Sequence, residues 1–206
     1  MVSRLNDDGL KAHAEVCDVT KPEQVSQLED ATRRVFGVAD ILVNNAGAAS
    51  AAPLHKLELS EWDRLMAVNA TAPFLCTKAF MPGMLEQGFG RVVTVTSSVA
   101  LQGAPYIAAY TASKHAALGF VRAVAAEVGD RGVTVNALCP AYVDTEMTVR
   151  TVDAIMNKTG RNRREALAAV LRSSGQERLL LPQEVAQAVL DLCLDPNSNG
   201  RAVEIP

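Results

Sequence analysis

Tyr110 and Lys114 stand four residues apart in the run Tyr110-Thr111-Ala112-Ser113-Lys114. On a helix, that spacing puts both side chains on one face, a turn apart. A phenol with a pKa of ~10 is a poor proton donor or acceptor at neutral pH. An ammonium beside it stabilises the phenolate and brings that value down. The pair is therefore suited to moving a proton to or from a substrate oxygen. Tyr and Lys are also frequent on helix surfaces, so the spacing alone does not separate a site from a solvated face.

Ser97 lies thirteen residues before Tyr110 and closes the run Gly90-Arg91-Val92-Val93-Thr94-Val95-Thr96. Strand register and the spacing to Tyr110 favour Ser97 over Ser98 as the hydroxyl facing the phenol. Ser98 is then a loop hydroxyl. Asp18, the run Asn44-Asn45-Ala46-Gly47, Asn69 and the segment from Pro140 to Thr145 complete the candidate set. Gly47 has no side chain, so the backbone there can approach a bound group closely.

The elements that position these residues alternate between short apolar runs and longer helical patterns, which predicts an α/β fold with a parallel sheet. Strands are expected at 12–16, 41–43, 92–96 and 133–138, with a last one at 201–205. Thr20 and Glu23 form a capping-box pattern with Pro22 in the first turn, which predicts a helix to Phe36. Ser60, with Asp63 three residues on, opens another helix, and a further one follows Asn69 towards Glu86. The spacing of Ala112, Ala116, Phe120, Val124 and Val128 predicts a helix over 108–128. Residues 149–172 read as a more polar helix over a site, and Pro182 opens a helix to Cys193. Asp18, Asn44 to Gly47, Ser97 and Pro140 then fall at C-terminal ends of strands, where open parallel sheets bind ligands.

Composition removes several function classes. The net charge of −3 offers no basic footprint for a nucleic-acid backbone, and aromatics at 4% are too sparse for stacked-base readers. The uncharged stretch from Val92 to Ser113 carries Ser, Thr and Gln and is broken by Gly103 and Pro105, so no membrane span is expected. Cys17, Cys76, Cys139 and Cys193 are scattered, without CxxC or a His at ligand spacing, so no metal site is expected. Scattered thiols suit a reducing cytosol.

Taken in order, Asn44-Asn45-Ala46-Gly47, Asn69-Ala70, Gly90 to Ser97 and Tyr110 to Lys114 resemble the short-chain dehydrogenase/reductase family of simple, compact type. The resemblance covers nearly the whole chain as a single domain, with a Rossmann-like doubly wound parallel sheet, and implies a nicotinamide cofactor. It implies that Tyr110 exchanges a proton with a carbonyl or alcohol, that Lys114 holds the nicotinamide ribose, and that Ser97 orients the substrate oxygen. Asn69 would interrupt its helix and fix a water between Lys114 and solvent. Asp18 would accept from the adenine amine with Val19 packed on the ring; the other reading of Asp18 is a residue approaching a helix. Asn45, Ala46 and Gly47 would line the cofactor, and Pro140, Val143 and Thr145 would meet the carboxamide. Ala141 stands where the family has Gly, which could restrict φ and narrow that pocket.

The family's chains begin with a strand, a TGxxxGxG loop for the pyrophosphate and a second strand, none of which has a counterpart here. Gly83, Gly88 and Gly90 have another spacing and precede a strand, as a helix-ending turn does. The expected fold is therefore N-terminally incomplete, an incomplete sequence being favoured over a decayed enzyme because Ser97, Tyr110 and Lys114 are intact. The choice between NAD and NADP, which rests on the missing part, stays open. Within the family the pattern is nearest to 3-oxoacyl reductases and 3-hydroxyacyl-CoA dehydrogenases, implying a small-molecule or acyl-thioester substrate. Lys158, Arg161, Arg163, Arg164 and Arg172 read either as a solvated face or as an attraction for a phosphate-bearing carrier. A cytoplasmic homo-oligomer, dimer or tetramer, is implied, with the helices at 70–86 and 108–128 at its interface. The alternative from another class is a non-catalytic paralogue acting as a structural subunit.

Overall fold

The computed structural model describes residues 2–206. A four-stranded parallel sheet runs in the order β1 (Ile41–Asn44), β2 (Gly90–Val95), β3 (Val133–Pro140), β4 (Ala202–Ile205). β2 and β3 are rich in β-branched residues and buried almost throughout, as strands covered on both faces are. Their side chains alternate between two cores. Val92, Val135, Ala137 and Cys139 pack against α4 (Ala72–Gln87) and α5 (Ala108–Val128) through Phe80, Met84, Leu118 and Val121. Val93 and Leu138 face the other way, onto Leu192 and Cys193 of α8 (Pro182–Leu194).

The remaining helices are α1 (Val2–Asp7), α2 (Pro22–Phe36), α3 (Leu59–Met66), α6 (Glu146–Thr159) and α7 (Arg163–Ser174). Gly88 ends α4 in the left-handed region, φ 70, where a side chain would be strained. Among the described residues no helix is long and apolar enough to cross a membrane.

Three sequence expectations need correction. Residues 12–16 form no strand: the segment is irregular, and Val16 is 98% exposed. A strand needs a hydrogen-bonding neighbour, and the sheet ends at β1 instead. Neither Thr20 nor Ser60 caps a helix. Lys21 and Glu58 hold those positions without side-chain bonds, and the Thr20 hydroxyl donates to Asp18 Oδ1 at 2.7 Å. The helix at 149–172 is two helices, separated at Gly160 with φ 70 and restarted by a capping box between Asn162 and Glu165.

Candidate active site

Tyr110 and Lys114 lie in the first two turns of α5, which packs against β3. The helix starts after Ile107 and, as its spacing predicts, turns both residues towards the C-terminal ends of β2 and β3. Lys114 Nζ stands 5.9 Å from the centroid of the Tyr110 ring and donates to Val95 O at the end of β2, 3.1 Å away. Lys114 is 5% exposed and forms no ion pair among the described residues. Burial holds its ammonium well below the usual lysine range, at about 8, while the neighbouring Cys139 raises it slightly. Burial of Cys139 in turn pushes that thiol up.

Ser97 ends the same strand in an extended conformation, φ −175. Its Oγ accepts from Val99 N at 3.4 Å, opening the short 3-10 turn Ser98–Ala100. Burial pushes the Tyr110 phenol up, and a hydrogen bond with the Ser97 side chain works against that rise. The structure thus brings Ser97, Tyr110 and Lys114 together. It differs from the sequence expectation in one respect: the phenol is raised, because its own desolvation is the largest influence on it and Tyr142 adds to the rise.

Asn69 lies in a π-helical segment, Ala67–Thr71, between α3 and α4. A π-bulge inserts an extra residue and loosens the ladder, a frequent device at functional sites. The Asn69 side chain is 1% exposed and fully bonded. Its Oδ1 accepts from Ala48 N at 2.9 Å, and its Nδ2 donates to Ala48 O at 2.8 Å and to Ser113 Oγ at 2.9 Å. Sequence reasoning missed Ser113, although it sits inside the Tyr110–Lys114 run; its signal is a polar residue on the buried side of α5. Asn44 was grouped with the cofactor loop, yet its side chain is buried and donates to Thr77 Oγ1 and Thr94 Oγ1 at 3.2 and 3.3 Å. It fastens β1 to α4 and β2.

Asn45, Ala46 and Gly47 are exposed beyond β1. A Cβ on Gly47 would stand 3.4 Å from Asn69 Oδ1 and 3.5 Å from Lys114 Nζ. Val19 joins Asn45, Ala46 and Cys76 around a cavity of about 130 Å³. Asp18 is exposed and accepts from both Thr20 N and Thr20 Oγ1, bonds that lower its pKa.

On the far side, Pro140 ends β3 buried, paired in register with Ile205. Tyr106 is the one non-glycine residue with positive φ among those described, so Ala141 is accommodated without a left-handed backbone. Val143 bridges to Leu180 and accepts at its carbonyl from Thr145 Oγ1 and Thr148 Oγ1. Thr145 is the N-cap residue of α6. Of the basic residues, Arg163 pairs with Asp153 and Lys158 donates to Ala51 O. Arg161, Arg164 and Arg172 line an open hollow of about 710 Å³.

A profile of the short chain dehydrogenase family matches residues 1–156. The chain is 32% identical over 179 residues to a D-beta-hydroxybutyrate dehydrogenase of Rhizobium meliloti (strain 1021), covering 86% of this chain and 69% of that protein. It is 38% identical over 148 residues to a 3-oxoacyl-[acyl-carrier-protein] reductase of a Synechocystis strain, covering 72% of this chain and 60% of that protein. A variant of actinorhodin polyketide ketoreductase crystallised with NADPH superposes with a TM-score of 0.93 at 30% identity, covering 99% of this chain and 80% of that one. None of these relatives bears the name of a structural subunit, so nothing favours the non-catalytic alternative. With the parallel sheet already described, these likenesses place the chain in the short chain dehydrogenase family, as a nicotinamide-dependent oxidoreductase acting between carbonyl and alcohol groups.

Proposed function

We propose that the chain reduces a 3-oxoacyl thioester, or oxidises the corresponding 3-hydroxyacyl thioester, with Tyr110 as the proton-transferring residue. The observation that carries this reading is the half-buried Tyr110 beside Ser97 at the end of β2, with the Nζ of the buried Lys114 5.9 Å from its ring. A phenol held protonated by burial is a competent donor to a carbonyl oxygen as negative charge develops there. Ser97, on the same strand end, supplies a hydroxyl to orient that oxygen. In the oxidative direction the same pair accepts the proton.

The residues present fit a nicotinamide coenzyme. Lys114 spends one of its three donors on Val95 O, which leaves the others for ribose hydroxyls, and Gly47 beside it leaves room for close approach. When bound, the coenzyme supplies or takes up the hydride, which no side chain can do. We assign Asn45, Ala46 and Gly47 to its β1 side, Asp18 and Val19 to its adenine end, and Pro140, Val143 and Thr145 to its carboxamide. Asn69 holds the loop after Gly47. Because its side chain is fully bonded, a water relaying protons to Lys114 would have to bind its main chain, which the π segment loosens.

The thioester class is supported by the relative named as a 3-oxoacyl-[acyl-carrier-protein] reductase and by Arg161, Arg164 and Arg172, which form no ion pair among the described residues and outnumber the single Glu165 around one hollow at α7. A homo-oligomer is supported by the small exposed residues Ala116, Gly119 and Ala123 on α5 beside the half-exposed Phe74 of α4. Four free cysteines support a reducing, cytoplasmic setting. The test is acetoacetyl-CoA reduction with NADPH and with NADH. Tyr110→Phe is expected to lose at least ~100-fold in rate, the scale of acid–base catalysis, while keeping coenzyme affinity. Retained turnover in that variant would reject the mechanism.

A further inference from the structure

Ser113 is wholly buried, and its single hydroxyl is used twice: Oγ donates to Tyr110 O at 2.8 Å and accepts from Asn69 Nδ2 at 2.9 Å. A hydroxyl has one hydrogen. With that hydrogen spent on Tyr110, only lone pairs face Asn69, so Asn69 presents its NH₂ group there. The amide orientation is then fixed. Oδ1 meets Ala48 N and the second Nδ2 hydrogen meets Ala48 O. The reversed amide would set Oδ1 against Ala48 O and the Ser113 lone pairs, and Nδ2 against Ala48 N–H. Ala48 follows Gly47, whose Cβ position lies 3.4 Å from Asn69 Oδ1 and 3.5 Å from Lys114 Nζ.

We infer that Ser113 is a positioning residue: it selects the orientation of the Asn69 amide and thereby fixes the Gly47–Ala48 backbone against the Tyr110–Lys114 turn. The bland account is a serine back-bonding within its own helix, a local feature that carries nothing to Ala48. The two accounts part at one amide. If Ser113 acts through Asn69, its loss loosens Ala48 N–H specifically. If it only fills α5, its loss lowers stability everywhere alike. The consequence for coenzyme binding, unlike the geometry, rests on the assignment of Asn45 to Gly47 made above.

Residue-resolved amide hydrogen exchange on the chain without coenzyme tests this directly. Ser113→Ala is expected to speed exchange of Ala48 N–H about tenfold, the scale set by losing roughly one hydrogen bond's net worth. Ala137 N–H, bonded to Arg201 O within the sheet, serves as the reference for global opening. Asn69→Ala should speed Ala48 at least as much, and the double variant should add nothing further. Ser113→Thr, which keeps the hydroxyl, should keep Ala48 slow. Ser113→Cys, close in size with a weaker acceptor, replaces the alanine variant if that one does not fold. An unchanged Ala48 amide, a rise only in step with Ala137, or additive single effects would each overturn the inference. A second arm with NADPH should find coenzyme KM raised more than kcat is lowered. Altered exchange with unchanged KM would uphold the role of Ser113 and instead reject Asn45–Gly47 as the coenzyme-facing stretch.

Discussion

The sheet centre and the β1 edge are built from the same kind of residue and held in different ways. All eight residues of β3 are buried, between β2 and β4 and beneath helices on both faces. Ser97, Lys114 and Pro140 hang from this region, so their mutual placement is set by close packing, which has few alternative solutions. At β1, Ile41 and Val43 are 47% and 42% exposed, and the stretch from Asn45 to Gly47 leaves the sheet exposed. Polar fasteners hold this side: Asn44 to Thr77 and Thr94, and Asn69 to Ala48. The residues assigned to proton transfer are thus fixed by volume, and those assigned to the coenzyme loop by hydrogen bonds.

That contrast can be broken first at its strong end. Leu138 is fully buried in β3 against α8. Leu138→Ala should cost about 2–5 kcal/mol, the range for a leucine removed from a close-packed core. Denaturant unfolding measures it. A cost below about 1 kcal/mol would mean that the centre is no more tightly packed than the edge.

Lys114 sharpens the comparison because its burial works against the fold. Its ammonium falls from 10.5 to about 8 through desolvation. Between those values the unfolded chain binds more protons than the folded one, so this residue makes stability rise with pH across roughly 8 to 10.5; below that window the full penalty applies. Lys114→Met should therefore stabilise the protein at pH 7, by as much as about 3 kcal/mol, and flatten the slope above pH 8. Activity should be lost in the same variant. Thermal unfolding at pH 7 and pH 9.5 checks the sign, and a destabilised variant at pH 7 would show the ammonium to be stabilised by interactions stronger than its desolvation.

Most of this centre is legible in the sequence, and the reason is periodicity. Val92 to Val95 is a continuous β-branched run, Val133 to Val135 opens another that is apolar again from Ala137 to Cys139, and Ala108–Val128 repeats at helical spacing, so the strands and α5 follow from the pattern. The edge is less legible. Ala12 to Val16 alternates apolar and polar residues as a strand does, but pairing is a property of neighbours, and none lies beyond β1. The break between α6 and α7 was readable, since Asn162 and Glu165 carry a capping-box spacing just after Gly160. Hydrogen-bond routing was not: nothing in the letters of Ser113 or Asn69 says that each meets the other, because those bonds cross 44 positions of chain. The raised Tyr110 phenol also escapes a reading by spacing, since desolvation depends on what surrounds the ring and not on which residue lies four places away.

The smallest effect is the sharpest test, because it uses one substitution at two register-paired positions. Val43 of β1 pairs with Val93 of β2, and both point to the α8 face of the sheet. Val93 is 1% exposed and Val43 is 42% exposed. Valine to threonine keeps shape and strand propensity and replaces one methyl by a hydroxyl, so the difference between sites is the cost of exchanging a buried apolar group for a polar one. Val93→Thr places it beneath α8 and should cost about 1–3 kcal/mol unless a carbonyl accepts it. Val43→Thr leaves it in water and should change stability by no more than about 0.5 kcal/mol. Side-by-side urea titrations give both numbers. Equal costs would mean that the β1 edge is covered in solution, and the contrast between packed centre and fastened edge would then fail.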